Sequence, residues 1–90
     1  MKVKSGLKLR EVGNMYMIVE ADSRSVNLTN VYNLNATAAD IWKYAAASNF
    51  TLAQLATYVS EEYDIDYDSA LNDVTALVEE WIEAGIVLND

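Results

Sequence analysis

Val31-Tyr32-Asn33-Leu34-Asn35-Ala36-Thr37-Ala38-Ala39-Asp40-Ile41-Trp42 changes its hydrophobic period halfway along. Up to Leu34 the apolar residues Val26, Leu28, Tyr32 and Leu34 fall at even spacing, the period of a strand with one oily face. Beyond Asn35, Ala38, Ile41, Trp42 and Ala45 fall three or four apart, the period of a helix. The spacing predicts a short strand over 31–34 and a helix over 38–47, with an irregular segment over 21–30 before the strand. Thr37-Ala38-Ala39-Asp40 resembles a capping box in which Asp replaces Glu. A strand that hands directly to an amphipathic helix divides the chain into a strand-rich front and a helical back.

The front holds two more strands. Leu7-Lys8-Leu9-Arg10 alternates strictly, and Met15-Tyr16-Met17-Ile18-Val19 is rich in strand formers. Gly13-Asn14 between them is a two-residue hairpin signal, so strands are predicted over 7–12 and 15–20. The back holds two more helices. Over 52–63, Thr51 and Gln54 supply a capping box, Phe50 staples onto Leu55, and Leu52, Leu55, Ala56, Val59 and Tyr63 form the buried stripe. Over 67–84, Leu71, Val74, Leu77, Val78, Trp81 and Ile82 form the stripe, and Gly85 suits the left-handed position past its end. Ile86-Val87-Leu88 is an extended tail over the core. The expected fold is α+β and winged-helix-like: a three-stranded antiparallel N-terminal sheet packed on a three-helix bundle, in the order β-β-β-α-α-α, as a single domain over 1–90.

Composition narrows the chemistry. Ninety residues make one small domain that buries about 60–65% of its unfolded surface. With no cysteine there is no disulfide and no thiolate nucleophile or metal site, and with no histidine the commonest general base and metal ligand are missing. No serine or threonine has a base beside it, and Glu79-Glu80 are neighbours that diverge on a helix, so neither acyl transfer nor acid–base catalysis has support. Asp64, Asp66 and Asp68 suggest a calcium loop, but Ser69 and Thr75 stand where glycine and glutamate are required, so helix capping is the expected role. Asp68-Ser69-Ala70-Leu71 echoes the phosphopantetheine site of acyl carrier proteins, which are all-helical, unlike this strand-rich front. No cofactor and no metal are expected. The Asn-x-Thr sequons at Asn27, Asn35 and Asn49 are read as loop and cap chemistry, and Trp42 and Trp81 as core. No apolar run suits a secretory signal or a membrane span, so a cytoplasmic protein that touches no membrane is expected.

Charge is polarised. All six basic residues precede Tyr44, while residues 46–90 carry ten acidic groups and no basic one, within a net charge of −8. A nucleic-acid partner is therefore not expected, and a winged-helix regulator would need cations on its third helix. Glu79, Glu80 and Glu83 crowd the negative dipole end of that helix, each at a cost of about 0.3–1 kcal/mol before screening. The ordinary reading is a solvated surface whose two halves partly neutralise each other when folded; because sequences break local rules chiefly at functional sites, the sharper reading is a partner-facing acidic surface there.

The 31–42 junction, together with Phe50-Thr51-Leu52, Glu62-Tyr63-Asp64, Asp73-Val74 and Ala84-Gly85-Ile86-Val87, resembles the PqqD family, the coenzyme PQQ synthesis protein D group, over about residues 7–88. The segment 21–30 is longer than that family's usual turn, which leaves the register of the third strand open. The resemblance implies a non-catalytic peptide-binding adaptor, a recognition element of ribosomally made, post-translationally modified peptides. It would bind the leader of a precursor peptide by strand addition and present it to a radical S-adenosylmethionine or other modifying enzyme, as a monomer or weak homodimer. It also implies a groove along Val31, Tyr32, Asn33 and Leu34, walled by outward positions of the third helix: Tyr67, Ala70, Asp73, Leu77 and Glu80. A winged-helix regulator, a general protein–protein adaptor and, last, an acyl or peptidyl carrier are the alternatives.

Overall fold

The structure is a computed structural model that describes residues 1–20 and 32–89. Strand β1 spans Lys2–Val3, β2 Leu7–Val12, β3 Met15–Glu20 and β4 Tyr32–Leu34. Helices α1 (Ala36–Ala46), α2 (Leu52–Tyr63) and α3 (Tyr67–Glu83) follow, and β5 (Val87–Leu88) comes last. The predicted hairpin is present: β2 and β3 pair antiparallel from Val12↔Met15 to Leu7↔Glu20. Gly13 alone of the two turn residues adopts positive φ, +61°, the pattern of a type II′ turn that matches the natural strand twist. Strand β4 joins the other side of β3 with Tyr16↔Leu34, Met17↔Asn33 and Ile18↔Tyr32, which gives the sheet the order β2-β3-β4 and settles the third strand's register. Leu7, Leu9, Tyr16, Ile18, Tyr32 and Leu34 thereby share the face turned to the helices.

One pairing has no counterpart in the sequence reading. β1 pairs with β5 through Lys2↔Leu88 and Val3↔Val87, and the Lys4 N–H donates to the Ile86 carbonyl at 2.9 Å. The Phe50 N–H donates to the Met1 carbonyl at 2.8 Å, and the Met1 ammonium donates to the Phe50 carbonyl at 3.0 Å. The front of the chain is thus stitched to the start of α2 and to the tail. Two-residue strands carry no period, so pattern reading passes over them.

Helix ends obey local chemistry, with one correction. α1 starts at Ala36, two residues earlier than the capping-box reading placed it. Asn35 is its cap, and the Asn35 side chain accepts from the Ala38 N–H at 2.7 Å. Asn35 takes the first favourable extended site after β4, which leaves Thr37 inside the first turn. α2 begins with both halves of the Thr51–Gln54 capping box, at 3.1 and 2.9 Å. Between α2 and α3, Asp64 sits left-handed at φ +52° and Asp66 caps α3. α3 closes in a Schellman motif: the Gly85 N–H reaches the Ile82 carbonyl and the Ile86 N–H the Trp81 carbonyl, both at 3.0 Å.

The core joins sheet and helices through two tryptophans. Trp42 and Trp81 meet edge to face, centroids 5.2 Å apart and planes at 86°. Ile18, Leu55, Val74, Val78 and Trp81 are its largest fully buried side chains. Two assignments change. Tyr63 is exposed at the end of α2, not part of its buried stripe. Ala70 lies in line with Val74, Val78 and Trp81 on the inner face of α3 and is completely buried. Its small side chain lets α3 approach closely, and it offers nothing to an outward groove.

Candidate functional site

β4 is the edge of its sheet: β3 occupies one side, and no strand among the described residues pairs with the other. A strand edge presents unpaired N–H and C=O groups at every second residue. Within β4 the side chains alternate. Leu34 is buried, Asn33 is exposed and Tyr32 is half-buried on the helix-facing side. Burial raises the Tyr32 phenol pKa above its ordinary value, and the Glu80 carboxylate raises it further.

Next to this edge, where β4 turns into α1, a groove of about 360 Å³ opens between α1, α2 and α3. Ile41, Val59, Val74 and Leu77 make an apolar floor, and Thr37, Tyr63 and Asp73 make a polar rim. Further along α3, Glu79, Glu80 and Glu83 surround Ile82 and Asn89 in a second, wider groove of about 560 Å³. No basic side chain occupies the last turn of α3. The outer surface of α3 therefore runs from an apolar recess to a strongly anionic shelf.

A carboxylate buttress shapes the rim. Asp40 Oδ1 accepts from the Tyr58 hydroxyl at 2.9 Å, and Asp40 Oδ2 accepts from the Tyr63 hydroxyl at 2.7 Å. The Tyr58 ring stacks on Tyr44 at 4.4 Å. The Asp40 hydrogen bond is the main cause that pushes the Tyr58 phenol up to about 12, with partial burial and the negative charge of Asp40 adding to it. The same bond raises Tyr63. Through it α1 is clasped to α2, and Tyr63 is held at the groove mouth.

The residues singled out from the sequence separate in space. Asp73 and Leu77 line the apolar groove, Glu80 lines the anionic shelf and its charge raises the Tyr32 phenol, and Asn33 and Leu34 lie on the edge strand. Tyr67 is exposed at the start of α3, outside both grooves. Ala70 is in the core, and Val31 lies outside the described residues. Thr37, Ile41 and Tyr63 are groove residues that pattern reading missed, because each also fits the helical stripe or cap it was assigned to. No group of three or more acidic residues able to hold a metal ion occurs among the described residues, and no helix there is long and apolar enough to cross a membrane. What the surface can do is hold an extended chain: backbone pairing along β4, an apolar recess for a side chain, and carboxylates for cations.

The family described as coenzyme PQQ synthesis protein D matches residues 16–87. Among solved structures, TbiB1 in complex with the TbiA(beta) leader peptide shares the fold at a TM-score of 0.73 and 12% identity, with 100% of each chain covered. Lasso peptide synthetase B1 complexed with the leader peptide shares it at a TM-score of 0.72 and 22% identity, over 98% of this chain and 96% of that one. No curated protein sequence matches the chain.

Proposed function

The chain belongs to the coenzyme PQQ synthesis protein D family, and we propose that it is a non-catalytic adaptor that binds the leader of a precursor peptide as an added strand on β4. The observation that carries this reading is the open edge of Tyr32–Leu34 beside the groove and carboxylates of α3, in a fold shared with two proteins solved with leader peptides. Backbone pairing supplies affinity without regard to sequence, so side-chain sites must select the peptide. The recess floored by Leu77 takes an apolar anchor, and Asp73 and Glu80 favour Lys or Arg to either side of it. The preferred leader thus alternates apolar residues with nearby cations. With neither histidine nor cysteine, the chain leaves bond-making to a radical S-adenosylmethionine or other modifying enzyme, to which it presents the bound leader in the cytoplasm.

The test is fluorescence anisotropy with labelled peptides in which apolar residues alternate and Lys or Arg flank them, the leader of any candidate precursor among them. Leu77→Asp puts a second carboxylate into the apolar recess and weakens binding by about tenfold or more, the loss of one buried anchor. Wild-type affinity in that variant, with the fold intact by circular dichroism, removes the groove from the site.

A further inference from the structure

Among the described residues, no helix or strand packs on the face of the sheet turned away from the helices. The register places Met15, Met17 and Val19 along the central strand and, opposite them on β2, Val12, Arg10 and Lys8. Asn33 of β4 faces Met17. None of these apolar side chains packs against the core. Val12 and Met15, opposite each other at the hairpin, are the two most exposed large hydrophobic residues described, at 57% and 54%. The described side chains on this face include two cations and no carboxylate, the reverse of α3. Exposed Val12 and Met15, with half-buried Met17 and Val19 behind them and Arg10 and Lys8 alongside on β2, form the kind of surface that proteins bury against one another, with methionine adapting its shape and arginine supplying directed hydrogen bonds.

We infer that this face docks the peptide-modifying enzyme through an apolar patch on that enzyme bordered by aspartate or glutamate. The inference rests on the adaptor reading above and adds the surface on which the second partner sits. The charges exclude the cationic leader, which is drawn to α3, and suit a carboxylate-bordered patch on the enzyme that complements Lys8 and Arg10. Lys8, Arg10, Val12 and Met15 stand on β2 and at its hairpin with β3, away from the free edge of β4, so leader and enzyme bind together without competing.

The experiment measures two affinities on one variant, Arg10→Glu combined with Met15→Ser, both positions being solvent-exposed. One arm uses a candidate radical S-adenosylmethionine peptide-modifying enzyme from the same source as this chain, the other a labelled leader peptide. The expected result is that enzyme affinity falls by about tenfold or more, the scale of an interface hot spot, while leader affinity stays within about twofold. Unchanged enzyme affinity in the variant overturns the inference. So does a wild-type chain that binds leader but not enzyme, or one whose self-association depends on Arg10, which would make a second copy the occupant. A wild-type chain that binds the enzyme through Arg10 but binds no leader upholds the docking face and overturns the peptide reading instead.

Discussion

Asp40 accepts two phenolic hydroxyls, and its effect is visible in how those phenols titrate. A phenol is neutral when protonated, and the Asp40 carboxylate favours that form. The folded pKa of Tyr58, about 12, lies above the ordinary 10.0. Between those values the native state holds a proton that the unfolded chain has released, so stability falls as pH rises. The Tyr58–Asp40 contribution is complete below about pH 10 and lost on approach to about pH 12. Phenolate absorbance should show a late-titrating tyrosine that Tyr58→Phe removes, and the variant's melting temperature should fall less steeply over this window than that of the wild type. Loss of a different step would reassign the bond. Asp64 gives a second residue-scale prediction. Among the described residues it is the non-glycine one at positive φ, +52°, and its charge sits at the negative end of α2. Asp64→Gly should stabilise the chain by about 1 kcal/mol in urea unfolding, since an L side chain in this conformation costs about 1–2 kcal/mol and glycine gives part of that back in unfolded-state entropy.

At the scale of elements, Trp81 ties α3 to α1 by its edge-to-face contact with Trp42. Trp81→Ala should cost about 3–5 kcal/mol in urea unfolding, enough to unfold a domain this small. Thr51→Ala removes only one cap and should cost about 1 kcal/mol. A Trp81→Ala chain as stable as the Thr51→Ala chain would contradict the core assignment. Elements with a strong local signal were legible in the sequence: the Gly13-Asn14 hairpin, the Thr51–Gln54 box, the Gly85 stop and the stripes of α2 and α3 each satisfy local geometry by themselves. What was not legible depends on tertiary pairing. β1 and β5 exist because each completes the other. Asn35 outcompetes Thr37 as the cap because β4 delivers it in extended conformation. Ala70 looked like an outward position because alanine is neutral on either face, and only its register with Val74 and Val78 marks it as core.

Over the whole molecule, charge is sorted by layer, with Lys8 and Arg10 on the outer sheet face and Glu79, Glu80 and Glu83 on the far end of α3. Exposed charges act mainly on encounter, so leader association should slow with added salt as the screening length shrinks from about 10 Å at 0.1 M, while dissociation, set by the apolar recess, should change little. Stopped-flow binding at several salt concentrations checks this, and a dissociation rate that rises in step with salt would place the affinity in ion pairs instead. The site was half legible for the same reason the fold was. Periodicity marks an edge strand and an acidic helix, but Thr37, Ile41 and Tyr63 come to one groove only when three helices converge. The most direct test of the central claim is an amide NMR titration of the wild-type chain with its precursor leader. Shifts should follow Tyr32–Leu34 and the Asp73, Leu77 and Glu80 side of α3, with new cross-strand contacts between the leader and β4. Shifts confined to the Lys8–Arg10–Met15 face, or no binding at all, would contradict it.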